Sequence, residues 1–220
     1  LREADLVLYD ALVSAELLAL AGAAQRFPVG KRAGKKSIEQ RTIERLMIRA
    51  ARRGQRVVRL KAGDPFVLGR GGEEALALHA AGVAFEVVPG VSSAIAAAAA
   101  INVPVTHRGL ASSFMVVTGH EDTPALETLA PGSATLVVLM GLTRRAPLAG
   151  TLIARGWSPD TPAAVVTDAS TPRQWSWTGT LAELPATEPP PSAPGVLIIG
   201  DVESVAAQLT PGIEARHVHG

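Results

Sequence analysis

The densest concentration of chemically useful residues follows the apolar run Val57–Leu60. Lys61-Ala62-Gly63-Asp64-Pro65-Phe66 leads into Gly69-Arg70-Gly71-Gly72-Glu73-Glu74. Glycines at the end of a strand let backbone come close to a ligand, and Asp64 supplies a carboxylate suited to ribose hydroxyls or to a cationic group. Gly71–Gly72 opens a helix whose first turn holds Glu73 and Glu74. Negative charge is favoured there, so the two read as a helix-start pair and not as acid–base residues. A second strand-to-helix junction, Val88-Pro89-Gly90-Val91-Ser92-Ser93-Ala94, offers two hydroxyls. Either can cap the helix, and a capped helix start is also a hydrogen-bonding platform for a ligand. A third group is Pro104-Val105-Thr106-His107-Arg108 with Val117-Thr118-Gly119-His120. Two lone histidines do not make a metal site, and no metal is expected.

Positive charge is local. Lys31, Arg32, Lys35 and Lys36 crowd one stretch in a chain whose net charge is only +1. Such a run is either a solvated loop or a grip on an anionic ligand. No global field points towards nucleic acid. The absence of cysteine excludes disulfides, thiolate metal sites and a cysteine nucleophile. With 220 residues, 47% hydrophobic and 19% charged, the chain can build a substantial core. The longest apolar run, Val91–Val103, is too short and too polar to span a bilayer, and no secretory signal is legible. A cytoplasmic protein without membrane or nucleic-acid partners is expected.

The elements that must position these loops alternate. Strands are expected at Asp5–Tyr9, Phe27–Val29, Gln55–Leu60 and Phe85–Val88. Helices are expected at Ser14–Ala24, Ser37–Arg53, Gly71–Ala80 and from Ser92 onward. Ser37 and Gln40 have capping-box spacing, and Ile43, Leu46, Met47 and Ala50 recur at helical intervals. Pro104 and Gly109 break the pattern. A second alternation follows, with strands Phe114–Thr118, Thr135–Met140, Ala163–Thr167 and Val196–Ile199 and helices near Ala146–Arg155 and Ser204–Leu209. The proline-rich stretch Pro185–Pro194 reads as an exposed connection. The expected architecture is α/β in two domains, residues 1–108 and 113–212 with a tail at 213–220, each a mainly parallel or mixed sheet flanked by helices. Ligands of open α/β sheets bind beyond the carboxyl ends of strands, which is where the informative loops fall.

In order and spacing, Lys61–Ala75 (KAGDPFVLGRGGEEA), Phe85–Ala94 (FEVVPGVSSA), Pro104–Arg108 (PVTHR), Val117–His120 (VTGH) and Leu139–Gly141 (LMG) resemble the tetrapyrrole methylase family. Tyr9–Val13 (YDALV) and Val29–Gly34 (VGKRAG) narrow the resemblance to the branch that methylates uroporphyrinogen III, giving precorrin-2 on the way to sirohaem and cobalamin. The resemblance implies S-adenosylmethionine as cofactor, S-adenosylhomocysteine as product, a cleft between two domains as the cofactor site, and a homodimer. It places cofactor contacts on Ala62, Gly63, Asp64, Val67, Ser92 and Ser93, with Met140 and Ala169 closing from the second domain. It assigns a proton acceptor to Asp10 and a proton donor to Lys31. Because the substrate carries eight carboxylates, Arg32 and Lys35, with Arg70 and Arg108, become its expected partners. The resemblance also implies a strand and a glycine-rich loop ahead of Leu1, with Leu1–Ala4 ending the helix that follows them, so a truncated N-terminus is expected. Ala62 and Asp168-Ala169 depart from the family's usual glycine and glycine-threonine. The alternatives are a methylase of a later corrin precursor, a non-catalytic tetrapyrrole- or nucleotide-binding module, and the methylase half of a longer bifunctional synthase.

Overall fold

The computed structural model describes residues 1–30, 38–120, 124, 126 and 129–209. The chain folds as two compact units, the first Leu1–Ser92 and the second from Ser93 onward. The sequence pattern puts the change of domain at 108–113. In the structure the alanine-rich helix Ser93–Ala99 already packs on the strands of the second sheet, so it belongs to that unit.

The first unit holds three parallel strands, β1 (Leu6–Tyr9), β2 (Gln25–Pro28) and β3 (Val57–Leu60), in the order β2-β1-β3. In register, Tyr9 lies between Pro28 and Leu60, so the three strands end together. Helix α1 (Ala15–Ala19) is capped by Ser14, whose hydroxyl accepts from the Leu17 N–H at 3.2 Å. It is shorter than the expected Ser14–Ala24. No residue of it is buried, so no packed face extends it past the turns at Leu20–Gly22. Helix α2 (Gln40–Ala51) buries Ile43, Met47 and Ala50, as the periodicity predicts. With Leu8 and Val29, Ile43 and Met47 form the core, each large side chain contributing about 1.5–3 kcal/mol by leaving water. Its N-cap is Glu39, without a side-chain bond, so the helix begins at Gln40. The expected Ser37–Gln40 box falls on Ser37, which lies outside the described residues. Helix α3 spans Gly71–Ala80, as expected. Leu1–Ala4 is a single turn closed by the Ala4 N–H on the Leu1 carbonyl.

Phe85–Val88 is not a strand. An apolar run becomes one only if a neighbour accepts and donates along its backbone. Among the described residues no strand pairs with the outer edge of β3 or with this run. Phe85, Val87 and Val88 are left exposed.

The second unit carries a mixed five-stranded sheet. Its strands are β4 (Phe114–Thr118), β5 (Thr135–Leu139), β6 (Pro162–Thr167), β7 (Trp175–Thr180) and β8 (Gly195–Ile199), in the order β4-β5-β8-β6-β7. β4 and β5 are parallel, and the remaining pairs are antiparallel. Thr-Leu-Val-Val-Leu of β5 is buried throughout, as its apolar run requires of a central strand. Helix α4 (Ser93–Ala99) packs on β5, β6 and β8, and α6 (Glu203–Leu209) on β6. α5 (Arg145–Ala154) buries Ala149 and Leu152 in a core with Leu136, Val138, Val165, Leu181 and Leu197. Arg145 ties the start of α5 down, donating to the Leu142 carbonyl at 2.8 Å and the Thr187 carbonyl at 2.6 Å.

Candidate active site

Three strands ending in register put three loops side by side. Asp10 follows β1, Val29–Gly30 follows β2 and Lys61–Asp64 follows β3. Gly30 lies flat against the Asp10–Ala11 backbone. A Cβ at position 30 would stand 2.0 Å from the Ala11 nitrogen, so only glycine allows this approach. Lys31, Arg32 and Lys35 lie outside the described residues.

Asp10 is held by a buried group of charges. The Arg59 guanidinium donates from Nη2 to Asp10 Oδ1 at 2.5 Å and from Nε to Glu74 Oε1 at 3.0 Å. Lys61 Nζ donates to both Glu74 oxygens, at 3.1 and 3.3 Å, and stands 3.9 Å from Asp10 Oδ2. Gln40 Nε2 adds a third donor to Glu74 at 3.1 Å. Side-chain exposure is 12% for Arg59, 7% for Lys61 and 6% for Glu74, against 29% for Asp10. Two cations thus balance two anions, as burial demands, and Asp10 is the one of the four that keeps substantial access to solvent. Glu74 is therefore more than half of a helix-start pair: it is a buried counter-ion. Glu73 remains at the surface, where it accepts both Arg70 donors at 2.9 and 2.7 Å. The bidentate bond raises the Arg70 pKa and lowers that of Glu73.

The loop after β3 is shaped by Asp64 and two glycines. Asp64 Oδ2 accepts the Gly90 N–H at 3.0 Å and Oδ1 the Phe66 N–H at 2.8 Å, which holds its carboxyl below its ordinary pKa. Oδ2 thus staples the loop to Gly90, while Oδ1 closes the loop on its own backbone. Gly63 adopts φ +72°, and a Cβ on Gly90 would come within 2.2 Å of the Gly63 carbonyl oxygen. The two backbones meet with no side chain between them, leaving a bare main-chain surface at Ala62–Gly63, both exposed. Ala62 does not take a positive φ, so its methyl in place of the family's glycine carries no backbone strain. Val67 is half-buried, and its N–H donates to the Asp64 carbonyl. Ser92 is buried at the end of the first unit. This loop fits a nucleoside-bearing cofactor: it offers close backbone approach beyond the carboxyl ends of parallel strands.

In the second unit Met140 follows β5 and Ala169 follows β6. Since β5 and β6 each run antiparallel to β8, they point the same way and both residues fall on one edge of the sheet. Met140 (φ +58°) and Asp168 (φ +45°) are left-handed, as sharp exits from strand ends. Gly119, after β4, packs on Gly141, where a Cβ would meet Gly141 Cα at 2.3 Å. Ser93 opens α4. Arg108 is exposed on a tight turn closed by paired hydrogen bonds between His107 and Ala111. The structure thus gathers Asp10, Ala62, Gly63 and Asp64 on one edge of the first unit, and Met140 and Ala169 on one edge of the second. Sequence reading did not join Arg59, Lys61 and Glu74 into the buried charge group around Asp10. The available signal was period-two alternation along Val57–Lys61, which sends Arg59 and Lys61 to one face beside the helix carrying Glu74.

No helix among the described residues is long and apolar enough to cross a membrane. The sequence model of the Tetrapyrrole (Corrin/Porphyrin) Methylases matches residues 1–185. A siroheme synthase of Neisseria meningitidis serogroup B is 46% identical over 214 residues, which cover 95% of this chain and 44% of that protein. A siroheme synthase of Tolumonas auensis is 43% identical over 96% of this chain and 46% of its own length. The chain therefore spans less than half the length of these relatives. Among solved structures, a uroporphyrin-III C-methyltransferase of Thermus thermophilus complexed with S-adenyl homocysteine superposes with a TM-score of 0.80. It is 43% identical, with 93% of this chain and 89% of that one covered. A cobalt precorrin-4 methyltransferase matches at 29% identity and a TM-score of 0.77, over 92% of this chain and 86% of its own. By sequence and by fold, the chain belongs to the tetrapyrrole (corrin/porphyrin) methylases.

Proposed function

We propose that this chain transfers methyl groups from S-adenosylmethionine to ring carbons of uroporphyrinogen III, yielding precorrin-2. The observation that carries the reading is the likeness, over 93% of the chain, to the Thermus methyltransferase solved with S-adenyl homocysteine. The bare Ala62–Gly63 loop stapled by Asp64 supports it.

When bound, S-adenosylmethionine supplies an electrophilic sulfonium methyl for in-line displacement by an electron-rich pyrrole carbon. The chain's residues bind and orient. In the first unit Ala62, Gly63 and Asp64, with Val67 and Ser92, hold the cofactor. Lys31, Arg32, Lys35, Arg70 and Arg108 pair with substrate carboxylates. Methylation leaves the macrocycle positively charged. A ring hydrogen then departs as a proton, its bonding electrons stay in the ring, and an Asp10 oxygen accepts it. Lys31 is proposed to return a proton to a ring carbon as a second ring proton departs, a shift within the macrocycle that leaves the net release at one proton per methyl transferred. Orientation and exclusion of water supply most of the acceleration. The same reading makes the protein a cytoplasmic homodimer, which analytical ultracentrifugation tests.

The experiment is methyl transfer from labelled S-adenosylmethionine to uroporphyrinogen III by wild type, Asp10→Ala and Lys31→Ala. Dimethylated product from the wild type, with loss of about 10²–10⁴ in rate in Asp10→Ala at unchanged cofactor affinity, supports the assignment. Cofactor binding without turnover of uroporphyrinogen III refutes the substrate. Turnover of a later corrin precursor instead would transfer the reading to the family's other branch.

A further inference from the structure

Arg59, Lys61 and Glu74 are more deeply buried than the carboxylate they surround, and a surface helix-start residue has no need of three donors. We infer that Glu74 is a positioning residue for Asp10, acting through Arg59 and Lys61. The inference rests on Asp10 being the proton acceptor.

The geometry sets out the task. Arg59 is a planar fork that spans two carboxylates, Nη2 on Asp10 and Nε on Glu74. Its Nη1 is fixed by the Leu60 carbonyl at 3.1 Å and the Leu8 carbonyl at 3.4 Å. Lys61 is drawn to Glu74 by both carboxylate oxygens and held out of hydrogen-bonding distance of Asp10, at 3.9 Å. Glu74 is in turn fixed by Gln40 from the start of α2. Among the described residues Asp10 therefore receives one strong side-chain bond, on Oδ1, while Oδ2 stays outside hydrogen-bonding distance of Lys61. Without the Glu74 charge, two buried cations would share one carboxylate. Lys61 would turn to Oδ2 and occupy the lone pairs that take the proton. Glu74 thus sets both where the Asp10 carboxylate points and how many donors it carries.

The test uses the whole chain as wild type, Asp10→Asn, Glu74→Gln, Arg59→Lys and the double variant Asp10→Asn with Glu74→Gln. Each is measured for kcat with uroporphyrinogen III, for the S-adenosylhomocysteine dissociation constant and for thermal melting. The expected result is a kcat at least about tenfold lower in Glu74→Gln, with the dissociation constant within about twofold of wild type and the double variant no slower than Asp10→Asn alone. Arg59→Lys keeps the charge but loses the fork and falls with Glu74→Gln. It decides the point if Glu74→Gln does not fold. Wild-type kcat in Glu74→Gln or Arg59→Lys overturns the inference. So does a Glu74→Gln loss that multiplies onto that of Asp10→Asn, because that pattern marks a structural role independent of Asp10. Full activity in Asp10→Asn refutes the proton-acceptor reading itself, whatever Glu74 does.

Discussion

Replacing Gly90 with alanine tests whether the Gly63–Gly90 approach forms the cofactor loop. The new Cβ would stand 2.2 Å from the Gly63 carbonyl oxygen and 3.1 Å from its carbon. A Cβ does not come closer than 3.0 Å to another heavy atom, so the two loops must part by nearly an ångström. The neighbour is backbone, and no side-chain rotation relieves it. Parting also stretches the bond from the Gly90 N–H to Asp64 Oδ2, now 3.0 Å. Overpacking costs about 1–3 kcal/mol. The stretched bond to the exposed Asp64 carboxylate shares that displacement, so the expected destabilisation stays at roughly 1–3 kcal/mol.

Urea denaturation reads that loss directly. Calorimetry with S-adenosylhomocysteine reads its consequence for the loop, since a displacement of this size at a positioned group lowers function by about 10²-fold. Asp64→Asn is the companion variant, keeping the shape while removing the charge from both N–H bonds. Its effect also has a pH signature. The Asp64 pKa is lowered by the Gly90 and Phe66 N–H groups. Its contribution to stability is therefore complete above the unfolded carboxylate value, near ~3.9, and is lost as pH falls through the lower folded value. Wild type should lose stability relative to Asp64→Asn only in that acid window. If Gly90→Ala matches wild type in both midpoint and S-adenosylhomocysteine affinity, close backbone contact is not what builds this loop.

Asp168 sits at φ +45°, in the left-handed region that favours glycine. Asp168→Gly should gain roughly 0.5–1 kcal/mol after the entropy cost of glycine, seen as a higher urea midpoint. Burial raises the Glu203 carboxyl pKa, so its ionised form weakens the fold as pH rises through that value. Glu203→Gln should raise the melting temperature at pH 7 and leave it unchanged well below the unfolded carboxylate value. Amides of Phe85–Val88 have no ladder partner among the described residues. Hydrogen exchange should find them far less protected than Val7 and Leu8 of the central strand, and equal protection would mean that a strand pairs with them.

The fold was legible where burial and periodicity agree. α3 and β4 fall where the spacing puts them, and β5 is one residue shorter. β7 was missed although Trp175-Ser176-Trp177-Thr178 alternates, because a short run without aliphatic residues gives a weak signal beside the loops around it. β2 was misplaced by two residues at its start. It is an exposed edge strand, set by pairing with β1 and not by its own hydrophobicity. Phe85–Val88 fails in the opposite sense. Its composition is that of a strand, but strand formation is a property of a pair, and composition carries no information about whether the partner is present.

The site divides along the same line. Glycine spacing and strand ends are local, so the Gly63–Asp64 loop and the Gly90 turn could be read from sequence, and the structure joins them through the Asp64 staple. Arg59, Lys61 and Glu74 carry no motif of their own. Arg59 lies within a strand pattern, and Glu74 has the position of an ordinary helix-start acid. Their meaning comes from depth. At the surface each would be one of many solvated charges worth little. Buried at 6–12% exposure, each must be neutralised by the others. The arrangement of four charges then fixes the one member that opens to solvent, Asp10. A chain selected only to cap α3 would not need Gln40, Arg59 and Lys61 all on one carboxylate; a chain that must present a carboxylate in one orientation would.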